Sequence, residues 1–255
     1  MRVLVCVKRV PDVAGQVMLA ADEQSVDARH VGYTVSNHEN SAVELAIRVA
    51  DATGGSVALV TVGPADSVEQ LRSLLALGCH AATLVEADPV ALGPADVARE
   101  IAAVVEDHAA KGSGYDLVLL GNDAADSGDF QVGIRLAYAL GWPVVNGVSV
   151  VETADGRAIT RGDGPEGEES FSVPLPAVVT VLEGGVEPRY PSLKGRMAAK
   201  KIEVETRTLA GDPHGADRVK LQVPPAQPSN VEVLGEGAVA APAVVDLLES
   251  LKVLR

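Results

Sequence analysis

Cysteine is nearly absent. Cys6 and Cys79 are the only two, far apart, with no CxxC pair and no His/Cys cluster. That excludes a disulfide framework and a zinc site of closely spaced ligands, and the chain reads as cytoplasmic. Basic charge is also short: 21 Lys and Arg stand against 35 Asp and Glu, a net charge of -14. A nucleic-acid backbone is bound by clustered cations that displace its counterions, so binding nucleic acid through a general basic face is excluded. No apolar run approaches the roughly 18 residues of a membrane span. Val3 to Val7 in MRVLVCVKRV is too short for a signal core, lacks a following cleavage site, and is read as the first strand. Nucleotide fingerprints are missing too. There is neither a GxGxxG after a strand nor a GxxxxGK[ST], so the Rossmann pyrophosphate turn and the P-loop are both excluded. The histidines, His30, His38, His80, His108 and His214, fall in no Ser/His/Asp or metal-ligand spacing.

What is present is a globular α/β pattern, with 47% apolar residues. Short apolar runs bounded by turn residues, Val3–Val7, Val57–Val62, Ala82–Val85, Leu117–Leu120, Val144–Val151 and Ala177–Leu182, predict strands buried on both faces. Between them, three- and four-residue apolar spacing predicts helices over Ser41–Ala52, Asp66–Leu77, Ala95–Ala110 and Asp129–Leu140. The alternation predicts a doubly wound, mostly parallel, Rossmann-like α/β domain over 1–205. Residues 152–176, rich in Gly, Asp, Glu and Pro, predict a β-hairpin or meander, and IEVET after Lys201 a further strand. Residues 206–255 read as an extended C-terminal arm that ends in a helix near Pro242–Leu251 and needs a partner surface; the alternative is a frayed tail.

In such sheets ligands bind at the carboxyl ends of the strands. The strongest candidate there is the loop from Gly121 to Gly133, which follows LVLLG and opens the helix QVGIRLAYALG, where unpaired backbone N–H groups accept a phosphate. Asp123, Asp126 and Asp129 oppose an anion unless they face hydroxyls, caps or solvent. Asp129 or Ser127 as a simple helix cap, or a magnesium site from the three aspartates, stay open. His38, in Ser36-Asn37-His38-Glu39 before a helix, marks a second ligand-facing turn. Cys6 reads as a small core residue.

Local charge supplies another candidate. Between Pro188 and Ile202 lie Arg189, Lys194, Arg196, Lys200 and Lys201 without a single Asp or Glu. With Leu193 and Met197 inside the block, this reads as a docking patch, an apolar anchor ringed by positive charge; the alternative is a solvated helix turn.

VLVCVKRVPD, GNDAADSGDFQVG and above all EPRYPSLKGRMAAKKIE, in this order over residues 2 to about 206, resemble the beta subunit of electron-transfer flavoproteins. The resemblance implies an electron carrier subunit that is not itself an enzyme. Its partners would be an electron-transfer flavoprotein alpha subunit, flavin-dependent dehydrogenases, and a membrane-bound or soluble acceptor. It implies FAD shared with the alpha subunit and a structural AMP on this chain. The AMP contacts implied are Cys6, Ser36, Asn37, His38, Glu39, Val62, Gly121, Asn122, Asp123, Ala124, Ala125, Asp126, Ser127, Gly128, Asp129, Phe130, Gln131 and Val132. The recognition loop maps to 184–201 with Leu193 as the dehydrogenase anchor. Where many members read Asn-Pro-Tyr/Phe-Asp this chain has Ser36-Asn-His-Glu39, and it has Lys194-Gly-Arg196 where Pro-Asn-Ile is frequent. Two alternatives stay open: a bifurcating relative with a second FAD in place of AMP, and a freestanding adenine-nucleotide-binding module.

Overall fold

The computed structural model describes residues 1–12, 17–27, 29, 31–216, 219–225 and 231–253, so His30 and parts of the C-terminal arm lie outside the described residues. The chain divides into two compact units, residues 1–222 and 223–255. The first opens with β1 (Arg2–Cys6) and a small antiparallel pair, β2 (Val10–Asp12) and β3 (Gly32–Thr34), followed by α1 (Asn37–Thr53) and β4 (Ser56–Gly63). Then come α2 (Val68–Leu75), β5 (Ala81–Glu86), α3 (Pro94–Ala110), β6 (Leu117–Gly121) and α4 (Val132–Leu140). After β7 (Val144–Val148) the strands β8 (Val150–Ala154), β9 (Arg157–Gly164) and β10 (Gly167–Pro174) form a separate antiparallel sheet. β11 (Ala177–Val181), α5 (Leu193–Ala199) and β12 (Val204–Arg207) return to the main body. The second unit holds a 3-10 turn at Gly237–Ala240 and α6 (Ala241–Ser250), whose Val244, Val245 and Leu247 are exposed. Among the described residues no helix is long and apolar enough to cross a membrane.

The central sheet is parallel, in the order β12-β5-β4-β1-β6-β11-β7. Its continuous apolar runs follow from burial on both faces. Val3, Val5, Val57 and Leu59 pack with α1 and α2, while Leu4, Cys6, Ala58 and Val60 pack with α3 and α4. The sheet grows outward from β1 in both directions, through β4 on one side and β6 on the other, and this reversal fixes where a ligand can enter.

Three expectations are corrected. Val144–Val151 is two strands in two sheets. Gly147 takes a φ of +68°, its N–H donates to Thr180 Oγ1 at 2.9 Å, and Ser149 N–H then pairs with Arg161 of β9 instead of the central sheet. α1 starts four residues before Ser41, because Ser36 supplies an N-cap that a polar first turn hides from an apolar-period reading. The helix expected from Asp129 starts at Val132. Asp129 Oδ1 accepts the Gln131 N–H at 2.9 Å in a local turn, and no side chain caps α4, so neither Asp129 nor Ser127 is its cap.

Candidate functional site

A cavity of about 410 Å³ opens where β1, β4 and β6 end, at the reversal point of the sheet. Its apolar lining comes from Cys6, Val60, Val62, Leu92, Val97 and Leu120; its polar lining from Lys8, Glu39 and the loop after β6. That loop ties itself down. Asn122 N–H donates to Val181 O at 2.8 Å, Thr180 Oγ1 donates to Asn122 Oδ1 at 2.7 Å, and Ala124 pairs with Asp129 and Gly128 through backbone bonds. Gln131, Val132 and Gly133 line the cavity at the uncapped start of α4, leaving first-turn N–H groups with no helical partner. Glycine is required at 133, since a Cβ there would lie 2.5 Å from Thr180 Cγ2 of β11.

The three aspartates do not converge. Asp126 Oδ1 is 2.5 Å from Lys8 Nζ, Asp123 Oδ1 is 3.0 Å from His38 Nε2, and Asp129 serves Gln131. Among the described residues no cluster of three His, Cys, Asp or Glu could hold a metal ion. Glu39 is buried at 4% exposure and takes a hydrogen bond from the Ser36 hydroxyl. Burial pushes its carboxyl up to about 7, against the backbone N–H groups of Glu39 and Lys8 and the Lys8 charge, which pull it down. Burial also pushes the Cys6 thiol up, so Cys6 is a protonated lining residue with no nucleophilic character.

Of the residues expected to contact a nucleotide, Cys6, Glu39, Val62, Gly121, Asn122, Asp123, Ala124, Ser127, Gly128, Asp129, Phe130, Gln131 and Val132 line this cavity. Ser36, Asn37, His38, Ala125 and Asp126 are not in its lining. Ser36 caps α1 and donates to Glu39, Asn37 and Ala125 are exposed, His38 bridges Asp123 and Glu183, and Asp126 holds Lys8. Sequence reasoning missed Lys8, among the described residues the one lysine or arginine in the lining, and the wall formed by Leu92, Gly93, Pro94 and Ala216. Gly93-Pro-Ala-Asp96 carried a legible signal: a proline in the first turn and an acid three residues after the cap.

The basic segment forms a second surface. Ser192 caps α5, accepting the Gly195 N–H at 3.0 Å, and α5 presents Leu193 (78% exposed) and Met197 (62%) one turn apart. Tyr190, 93% exposed and missed in the sequence, precedes them. Lys194, Arg196, Lys200 and Lys201 are exposed around this trio. Arg189 is used differently: its guanidinium pairs with Glu44 of α1 at 2.7 Å, and its N–H donates to the same carboxylate. Arg72 of α2 donates to the carbonyls of Ala199 and Ile202, fixing the far end. Gly195 touches α2 so closely that a Cβ would sit 2.2 Å from Ala76 O. Gly195→Ala is therefore expected to lift α5 and cost about 2 kcal/mol. A lowered urea midpoint and faster tryptic cleavage after Lys194 and Arg196 would show it; unchanged values would mean α5 is not seated on α2.

The comparisons with known proteins meet this geometry. An electron transfer flavoprotein domain is matched over residues 25–212. The electron transfer flavoprotein subunit beta of Syntrophomonas wolfei is 32% identical over 251 residues, 98% of this chain and 96% of that protein. That of Bacillus subtilis is 31% identical over 98% of both chains, and that of Homo sapiens 35% identical over 80% of both. With most of its length matched in family and in relatives, the chain belongs to the electron transfer flavoprotein beta-subunit family.

Proposed function

We propose that this chain is the beta subunit of a heterodimeric, cytoplasmic electron-transfer flavoprotein. Paired with an FAD-bearing alpha subunit, it accepts electrons from flavin-dependent dehydrogenases and passes them to a membrane-bound or soluble acceptor, doing no bond chemistry itself. What carries the reading, in a chain of this family, is the cavity at the sheet's reversal point, with its uncapped helix start and apolar lining. AMP suits it. Its phosphate would meet the N–H groups that open α4, with Lys8 the neighbouring cation, and its base the apolar lining. Of the expected arm 206–255, residues up to 222 belong to the first unit, with Arg207 in β12 and 210–215 held against α3, and residues 223–255, with apolar side chains exposed along α6, are read as the part that lies on the alpha subunit.

Mass spectrometry and an absorbance spectrum of the nucleotides released by denaturing the purified complex test this. Equal AMP and FAD are expected. Two FAD and no AMP would replace the reading by a bifurcating relative, and a flavin-free monomer that binds AMP or ATP reversibly would replace it by a freestanding nucleotide module.

The docking role gives a separate expectation. Leu193→Ala removes an exposed anchor worth about 1–2 kcal/mol of binding without touching the core, so dehydrogenase-driven flavin reduction weakens while heterodimer and AMP content stay intact. Unchanged kinetics with every dehydrogenase tried would reject the anchor. Replacing Arg196 or Lys200 is expected to slow association chiefly at low salt, where steering operates; loss of the heterodimer instead would put them at the subunit interface.

A further inference from the structure

We propose that His38 is a positioning residue that couples the nucleotide cavity to the docking segment; the proposal rests on the nucleotide reading above. The imidazole, mostly buried, stands between two segments far apart in sequence. Its Nδ1 lies 3.0 Å from the backbone nitrogen of Glu183, and its Nε2 lies 3.0 Å from Asp123 Oδ1. A backbone N–H can only donate, so Nδ1 accepts, and the proton of the neutral ring sits on Nε2, where it donates to Asp123. One tautomer satisfies both ends at once, and turning the ring to serve either side differently breaks the other.

Each end of this bridge leads somewhere. Asp123 lines the cavity. Glu183 stands just past the end of β11, where the chain leaves the sheet for Arg189 and α5. Arg189 is in turn pinned to Glu44, so the first and second turns of α1 hold both ends of the 183–189 stretch. Close packing permits the bridge: a Cβ on Gly121 would lie only 3.0 Å from His38 Cβ and 3.1 Å from Glu39 Cδ. A ligand that orders Asp123 therefore orders Glu183 through the ring, and the docking segment is held better when the cavity is filled.

Amide hydrogen exchange on the full chain with its co-purifying subunit, stripped of nucleotide and then given AMP, tests the coupling. In the native protein AMP is expected to slow exchange over 121–132 and, by about fivefold, over 183–190, the low end of couplings between sites. His38→Phe keeps the ring's shape without its nitrogens. It is expected to keep the slowing at 121–132 and lose it at 183–190. His38→Gln, which retains a donor and an acceptor, is expected to restore at least part of it, a recovery that mere filling of space would not produce. Full slowing at 183–190 in His38→Phe, none there in the native protein, or His38→Gln behaving as His38→Phe, would overturn the coupling with the nucleotide reading intact. No slowing at either segment in the native protein would overturn that reading, and the coupling with it.

Discussion

Asp96→Ala is expected to destabilise the chain by about 3–5 kcal/mol and to open one wall of the cavity. The Asp96 carboxylate has no exposed surface and accepts four hydrogen bonds: Gly93 N–H and Gly215 N–H at 2.9 Å on Oδ2, His214 N–H at 2.9 Å and Arg99 Nη1 at 3.0 Å on Oδ1. Burial alone would raise its pKa, but these donors outweigh it and hold the carboxyl well below the usual carboxylate range. The neighbouring Glu100 takes the Ala210 N–H at 2.6 Å, so the first two turns of α3 clasp residues 210–215. The clasp is tight: a Cβ on Gly93 would sit 2.2 Å from Gly215 O. Ala216, the next residue, lines the cavity beside Gly93 and Pro94. Removing the carboxylate strands backbone donors in a dry site, so the urea midpoint falls, exchange at His214 and Gly215 speeds up, and, on the proposed nucleotide reading, retained AMP drops. A loss under about 1 kcal/mol would show that water replaces the carboxylate and that the clasp is not structural.

Glu39 is expected to make the chain less stable as pH rises through neutrality. Its folded pKa is raised from the 4.5 of an ordinary glutamate to about 7, first by burial. The fold thus favours the protonated acid; that preference stabilises fully below about pH 4.5 and is lost as pH rises through about 7, a swing of about 3 kcal/mol. Glu39→Gln keeps a neutral group of the same shape and an oxygen to accept from Ser36. Its stability relative to the native chain is expected to be nearly level at pH 4.5 and higher at pH 8. Urea unfolding of both proteins across this range decides it, and a difference that does not change with pH would mean Glu39 stays ionised in the fold. Below neutrality a protonated Glu39 also adds no negative charge to a cavity proposed to hold a phosphate.

Much of the architecture was legible because burial on both faces writes itself into composition. The runs Val3–Val7 and Leu117–Leu120 are apolar at every position, and Val57–Val62 at every position but the buried Thr61, which a strand with one wet face would not be. The start of α1 was read late because its first turn, from Asn37, is polar and an apolar period does not register it. The break at Ser149 did leave a mark. Val144–Val151 carries Asn146, Gly147 and Ser149 among its valines, an irregularity read through as one strand, and the bonds to Thr180 and Arg161, brought from elsewhere in the chain, divide it between two sheets.

By itself, then, the sequence determined the strand and helix alternation, the family, the loop at Gly121–Val132 and the basic block around Leu193, all of which are local patterns of residue type. The tertiary structure alone decided which of those residues share a cavity and which brace it. It placed Lys8 against Asp126, set Asp96 under the returning residues 210–215, paired Arg189 with Glu44, and stood His38 between two loops. The physical reason is that hydrogen bonds and ion pairs join groups distant in sequence, chosen by the folding of the whole sheet, and no periodicity or spacing along the chain records such a pairing.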